Sequence, residues 1–412
     1  MLGGTLQSCR NSSPRIGGKG SIVSKKSPLK RVQTIGVLTS GGDCPGLNAV
    51  LRAIVRGVGM EGVEVFGFFE GFTGLVENRY LKLEPSETAG LLTLGGTILR
   101  TSRNKPNKMP APNGNVRDMT GAAVETYRRL NLDCLVCLGG GGTQKGAYHL
   151  MTKGGLNVVT VPKTIDNDVY GTDVCFGYDT GMSIAAEAID RLHTTASSHH
   201  RVMVVDIMGH NAGWLALGAG VAGGADVILI PEIPYSMDVV AQSLLDRMRQ
   251  GKMFSIVAMA EGAVPRTAIP KKHDAKDKKN GAKKNGAGGH YKEPVSAILA
   301  EHLEQATRLE TRVTSLGHLQ RGGIPTPADR ILCTEFGTHA AECVLRRRFG
   351  VMIAKRGEAF VPVPLKDVVG KRRIVSPDHP LLLAARSVGT CLGDVWEGYP
   401  IVVKRFPQGA LS

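Results

Sequence analysis

No uninterrupted apolar run in the 412-residue chain reaches the roughly 18 residues that a membrane-spanning helix requires, so a soluble protein without a membrane partner is expected. Glycine is abundant at 53 residues, yet neither a collagen period nor a long Gly/Ser tract occurs, which places the glycines in tight turns and in backbone that ligands approach closely. The eight cysteines at 9, 44, 134, 137, 175, 333, 343 and 391 are scattered, as suits a reducing compartment such as the cytoplasm. Cys134-x-x-Cys137 has no second CxxC to complete a zinc site. Its setting, Leu132-Asp133-Cys134-Leu135-Val136-Cys137-Leu138, reads as a buried strand in which cysteine serves as a small hydrophobe. No repeat of fixed period is present.

Acidic residues are missing from the first 31 positions, which carry seven Lys/Arg, and residues 271–292 carry eight Lys against Asp274 and Asp277. These two segments account for +13 of the net charge of +15 and leave +2 on the rest. Both are Gly/Lys/Ser-rich and lack apolar anchors, so they are expected to be disordered, with no specific nucleic-acid partner. The start resembles a transit peptide in composition, but without an amphipathic Arg-rich helix or an apolar signal core it reads as an ordinary tail.

The whole chain is 42% hydrophobic and long enough for two or more domains. Apolar strand-like segments are expected at 32–38, 63–68, 134–138, 158–161, 202–207, 227–230 and 255–260. Helical ones are expected at 47–58, 121–130, 182–195, 237–250 and 295–309. This alternation is the signature of an α/β protein with mostly parallel sheets covered on both faces, and coverage explains why the strands are apolar throughout.

Several strand ends carry phosphate-type chemistry. Thr39-Ser40-Gly41-Gly42-Asp43-Cys44-Pro45-Gly46 precedes a helix start, where backbone N–H groups and the positive helix end favour an anion. It lacks the GK[ST] ending of a Walker loop and is no GxGxxG fingerprint. Gly139-Gly140-Gly141-Gly142-Thr143 follows the strand at 134–138, either as a ligand cradle or as a flexible turn. Gly218-Ala219-Gly220-Val221-Ala222-Gly223 matches GxGxxG literally, but inside a helix that precedes a strand, so close helix packing is expected. Pro162-Lys163-Thr164-Ile165-Asp166-Asn167-Asp168 sets two carboxylates, a hydroxyl and an ammonium just beyond a strand, where α/β sheets bind ligands. Read alone, it is also a polar turn. Gly95-Gly96-Thr97 leads to Arg100 and Arg103, and His318 and Arg321 lie three apart beside Gly322-Gly323. Arginine forks match phosphate oxygens. His199 and His200 are adjacent and point apart on regular backbone.

Together with Asp206-Ile207-Met208-Gly209-His210 and Ala260-Glu261-Gly262, these motifs resemble the phosphofructokinase family over about residues 33–405. The resemblance implies two similar three-layer α/β domains with the active site in the cleft between them. Its division runs 33–177 plus 320–372 for nucleotide phosphate and 178–319 plus 373–412 for sugar phosphate, with residues 1–32 as a tail and 271–292 as a surface insertion. It implies transfer of a phosphoryl group to the 1-hydroxyl of fructose 6-phosphate.

By the same resemblance Asp166 accepts the hydroxyl proton, Asp168 helps hold magnesium-bound phosphate, and Thr164 contacts the transferred group. Gly41, Gly140, Gly141, Gly142 and Thr143 carry the donor's phosphates with Arg103 at their side. Met208, Gly209 and Glu261 hold fructose hydroxyls, and His318 and Arg321 the 6-phosphate, with Arg201 and Arg312 supplied by a neighbouring subunit of a homodimer or homotetramer. Gly141 stands where many relatives have a metal-side Asp, which leaves the Mg2+ shell to Asp168, water and the nucleotide. His210 stands where many bacterial relatives have Arg. Gly142 is the small residue of ATP users, whereas Lys163 resembles the lysine of pyrophosphate users. The pair resembles the mixed-substrate subfamily, so ATP is the expected donor and pyrophosphate the alternative. A catalytically silent relative is a third reading, opposed by the intact Asp166, Asp168, Arg321 and Glu261.

Overall fold

The computed structural model of the chain describes residues 31–111, 114–267 and 294–395. The basic start before residue 31, the Lys-rich stretch 271–292 and the end of the chain after residue 395 lie outside them. In chain order the strands are β1 (Thr34–Ser40), β2 (Glu64–Phe68), β3 (Tyr80–Lys82), β4 (Met109–Pro110), β5 (Val116–Arg117), β6 (Cys134–Gly139), β7 (Val158–Pro162), β8 (Val202–Ile207), β9 (Val227–Leu229), β10 (Ser255–Ala260), β11 (Thr311–Ser315), β12 (Val351–Arg356) and β13 (Ala359–Pro364). The α-helices are α1 (Leu47–Gly59), α2 (Phe72–Glu77), α3 (Thr120–Arg129), α4 (Gly141–Gly154), α5 (Tyr178–His199), α6 (Trp214–Ala222), α7 (Met237–Arg249), α8 (Val295–Thr307), α9 (Pro327–Leu345), α10 (Leu365–Val368) and α11 (Pro380–Ser387).

Two main sheets result, of one type and unequal size. The seven-stranded sheet runs β13-β12-β7-β6-β1-β2-β3 and the four-stranded sheet β11-β8-β10-β9. Pairing is parallel except at the two ends of the larger sheet, β2 with β3 and β12 with β13. All pairs of the smaller sheet are parallel. Strands β6, β7 and β10 are buried at every position, as helices on both faces demand. That is why their sequences are continuous apolar runs.

Five of the seven expected strands differ at their ends. β1 spans Thr34–Ser40 rather than 32–38, β2 begins at Glu64 rather than residue 63, β6 and β7 each run one residue further, to Gly139 and Pro162, and β9 ends at Leu229 rather than residue 230. β11 was not legible as a strand. It is an edge strand whose Thr-Arg-Val-Thr-Ser residues are mostly exposed, so it carries no apolar run. β13 likewise lies at an edge, which lets it accommodate Pro362 and Pro364.

The glycine-rich helix α6 is a packing device. A side-chain carbon at Gly220 would come 2.7 Å from Ile228 Cγ1, and one at Gly218 would come 2.7 Å from Met182 Sδ. The literal GxGxxG match is therefore a close helix–strand and helix–helix contact. Cys134 and Cys137 are buried, free thiols on β6.

Candidate active site

β7 ends at Pro162, and the following turn is held on both sides. The Lys163 N–H donates to the Gly139 carbonyl at 3.2 Å, and the Thr164 N–H to the Phe176 carbonyl at 3.4 Å. The Asp166 N–H donates to Thr164 Oγ1 at 3.0 Å. Asn167 takes a left-handed conformation, φ 53°, which asparagine tolerates better than most residues. Its Oδ1 accepts the Cys175 N–H at 2.9 Å. From the far side the Arg373 N–H donates to the Asp168 carbonyl at 2.9 Å, while the Arg373 guanidinium lies 3.8 Å from the Trp214 ring centre.

The turn is electrostatically loaded. Burial pushes the Asp166 carboxyl up to about 6, assisted by the nearby Asp168 and Glu261 and opposed by Arg321 and Lys163. Asp168 is also raised, first by burial, with Arg372 the largest opposing influence. Arg372 Nε stands 3.4 Å from Asp168 Oδ2. Lys163 is buried, burial lowers its pKa, and its ammonium donates to the Gly42 carbonyl.

Two glycine segments face this turn from the ends of β1 and β6. Gly41 has φ 93°, its N–H donates to the Ser102 carbonyl at 2.9 Å, and Thr101 Oγ1 donates to its carbonyl at 2.8 Å. A side-chain carbon at Gly42 would come 2.5 Å from an Arg321 nitrogen, so the bare backbone lets that guanidinium in. The run 139–142 is not a loop. Gly139 closes β6, Gly140 is the N-cap of α4, and Gly141, Gly142 and Thr143 form its first turn. Thr143 Oγ1 donates to the Ser40 carbonyl at 3.2 Å, tying that turn to β1. Unpaired N–H groups and the helix dipole thus face the same space.

That space is a cavity of about 350 Å³. Gly41, Arg103, Gly140, Gly142, Thr143, Lys163, Thr164, Asp166 and Arg321 line it, with Ser40, Gly42, Asp43, Lys105 and Ile165. All but Arg321 follow strands or loops of the larger sheet. Arg321 ends a 3-10 turn, Gly317–Arg321, that follows β11 of the smaller sheet.

The other expected sugar-side residues stand at the carboxyl ends of the smaller sheet's strands. Met208 and Gly209 follow β8, Glu261 follows β10, and His318 lies in the turn after β11. The Glu261 N–H donates to the Ile207 carbonyl at 2.8 Å. Arg201 precedes β8, at the opposite end of that strand, roughly 20 Å away by the rise of an extended chain. Its Nε pairs with Glu310 at 2.5 Å, and Arg312 pairs with the same carboxylate. The single chain therefore does not bring Arg201 and Arg312 to the cavity. Their expected role requires a second copy.

The Phosphofructokinase family signature matches residues 34–344. An ATP-dependent 6-phosphofructokinase of Propionibacterium freudenreichii is 48% identical over 371 residues, covering 87% of this chain and 99% of the relative. One of Spirochaeta thermophila is 50% identical over 376 residues, covering 90% and 99%. This chain belongs to the phosphofructokinase family. Among solved structures, the T-state phosphofructokinase of Pichia pastoris is similar at a TM-score of 0.68 and 30% identity, covering 84% of this chain and 36% of that longer one. The pyrophosphate-dependent phosphofructokinase of Nitrosospira multiformis shares the fold at a TM-score of 0.71 and 17% identity, covering 90% and 96%.

Within this family member, two groups escaped the sequence reading. Lys105 lines the cavity, yet in Arg103-Asn104-Lys105-Pro106 it follows no spacing rule. Arg372 and Arg373 reach the Asp166–Asp168 turn from more than 200 positions away, which only the fold can reveal.

Proposed function

We propose that the chain is an ATP-dependent 6-phosphofructokinase that transfers the terminal phosphoryl group of ATP to the 1-hydroxyl of fructose 6-phosphate, giving fructose 1,6-bisphosphate and ADP. The observation that carries this reading is a half-buried carboxylate, Asp166, facing the first turn of α4 across a cavity that also holds Lys163, Arg103 and Arg321. The relatives named for this activity match over nearly their whole length, which supports it further.

Phosphoryl transfer needs positioning and charge neutralisation more than covalent chemistry. Asp166 accepts the proton of the 1-hydroxyl as that oxygen attacks phosphorus, a contribution of about 10² to 10⁴ in rate. The N–H groups of Gly141 and Gly142 and the bare backbone of Gly41 receive phosphate oxygens, with Gly140 and Thr143 lining the same space. Lys163 and Thr164 sit beside the transferred group, with Arg103 at the donor's flank. Met208, Gly209 and Glu261 orient the sugar, and His318 and Arg321 hold its 6-phosphate. Arg201 and Arg312 of a second copy complete that subsite in a homo-oligomer. The division into a donor domain, 33–177 with 320–372, and a sugar domain, 178–319 with 373–412, is part of this reading. It is supported by the larger sheet drawing its strands from the first set and the smaller from the second.

Among the described residues no cluster of three or more His, Cys, Asp or Glu could cage a metal. Magnesium bound to nucleotide needs only one or two carboxylates besides phosphate oxygens and water. Asp168, with Asp166 two residues away, fits that need, and Gly141 contributes no ligand side chain. When bound, the ion would neutralise phosphate charge. Work in the cytoplasm is part of this reading; separately, the described residues include no helix long and apolar enough to cross a membrane.

The pyrophosphate-dependent reaction is the second reading, favoured by the buried Lys163 ammonium at the cavity. A coupled assay of fructose 1,6-bisphosphate formation, with ATP and pyrophosphate supplied separately, decides between them. Turnover with pyrophosphate alone overturns the ATP reading.

A further inference from the structure

Four cations line the cavity, Arg103, Lys105, Lys163 and Arg321, and they do not share one place. Arg321 and Lys163 are close enough to Asp166 to act on its charge. Lys105 lies against the first turn of α4, since a side-chain carbon at Gly142 would come 3.6 Å from its Cε and 3.9 Å from its Nζ. Its backbone is fixed there. The Lys108 N–H donates to the Lys105 carbonyl at 2.9 Å, and the Met119 N–H to the Pro106 carbonyl at 2.8 Å. Among the described residues its ammonium has no carboxylate partner, so this cation is available to a ligand.

We propose that Lys105 is the residue that selects a nucleotide donor: it holds the phosphate next to the nucleoside, across the first turn of α4 from Gly142. This rests on the kinase reading above. Glycine at 142 leaves nothing between the ammonium and the helix N–H groups, so one phosphate receives both the point charge and the helix dipole. Pyrophosphate consists only of the transferred group and its leaving partner, which lie with Lys163 nearer Asp166. A nucleoside triphosphate adds a third phosphate further out, and Lys105 is the cation stationed there. A carboxylate at 142 would pair with Lys105 and take the phosphate's place.

The test measures KM for ATP and for fructose 6-phosphate, with inhibition by pyrophosphate, in the full-length enzyme and in K105M, K105R, G142D and K105M/G142D. A lost hydrogen bond to a charged group predicts an ATP KM raised about tenfold or more in K105M, with K105R largely restored. The KM for fructose 6-phosphate and the inhibition by pyrophosphate stay within about twofold of wild type. In the G142D background, K105M adds less than about twofold, because the phosphate is already displaced. An ATP KM within about twofold of wild type in K105M overturns the proposal, as does equal loss of pyrophosphate binding or full additivity with G142D. A wild type without ATP-dependent turnover instead refutes the kinase reading, and so the two failures are distinct.

Discussion

Burial lifts the Asp166 carboxyl from the ordinary aspartate value to about 6, so it is an ionised proton acceptor only above that pH. The pH profile of kcat/KM is therefore expected to fall as pH drops through about 6, roughly tenfold per unit, and the limb to vanish in Asp166→Asn. The same shift opposes stability. A carboxyl whose folded pKa exceeds its unfolded value carries no penalty when both states are protonated, below about pH 4, and the full penalty once both are ionised, above about pH 6. Two pKa units amount to at most about 3 kcal/mol. Asp166→Asn is thus expected to lose two or more orders of magnitude in turnover while binding fructose 6-phosphate nearly as before, since a positioned base contributes about 10² to 10⁴. In urea unfolding it gains stability at about pH 8 and gains none at about pH 4. Retention of more than about a tenth of wild-type turnover would remove Asp166 as the base.

The helices that frame the site depend on a buried acid from a distant element. Asp329, in the first turn of α9, is fully buried and accepts the Gly177 N–H at 3.0 Å, the Thr180 N–H at 2.9 Å and the Thr180 hydroxyl at 2.6 Å. It caps α5 from another helix, just beyond the Phe176 carbonyl that anchors Thr164. Asp329→Ala leaves two buried N–H groups without a partner, and a loss of about 2 kcal/mol or more in urea unfolding is expected. A change below about 0.5 kcal/mol would mean that water or a neighbour replaces the carboxylate. No sequence spacing links 329 to 177, whereas α1 was visible from a glycine-bearing start that follows an apolar strand; α4 was not, because its glycine-rich first turn reads as a cradle or a flexible turn. Strand β11 stayed hidden because an edge strand with exposed polar residues has no apolar pattern to read.

The assembled molecule sets Arg201, Glu310 and Arg312 together, away from the cavity of their own chain. If a second copy uses these arginines, Arg201→Ala with Arg312→Ala raises the KM for fructose 6-phosphate about tenfold or more and leaves the ATP KM unchanged. An unchanged fructose 6-phosphate KM would assign the ion triad to structure alone. Residues 271–292 lie between β10 and α8, outside the described residues. Shortening them should leave specific activity within about twofold while lowering retention on a cation exchanger. A collapse of activity would place the segment in the site or in the oligomer.

By itself the sequence determined the alternation of strand and helix, because fully covered parallel strands must be apolar throughout and helices must begin where glycine or a polar cap permits. It also marked Asp166, Gly41, Gly142 and Arg321, since these chemistries sit at strand ends in recognisable short runs. Only the tertiary structure decided which strand ends meet. It set Arg321, from the smaller sheet, against the backbone of Gly42 in the larger, and closed Arg372 onto Asp168. It also turned Lys105 from an unremarked lysine into the cation opposite Gly142. Such pairings arise from the packing of elements far apart in the chain, and local patterns of polarity and turn propensity carry no information about them.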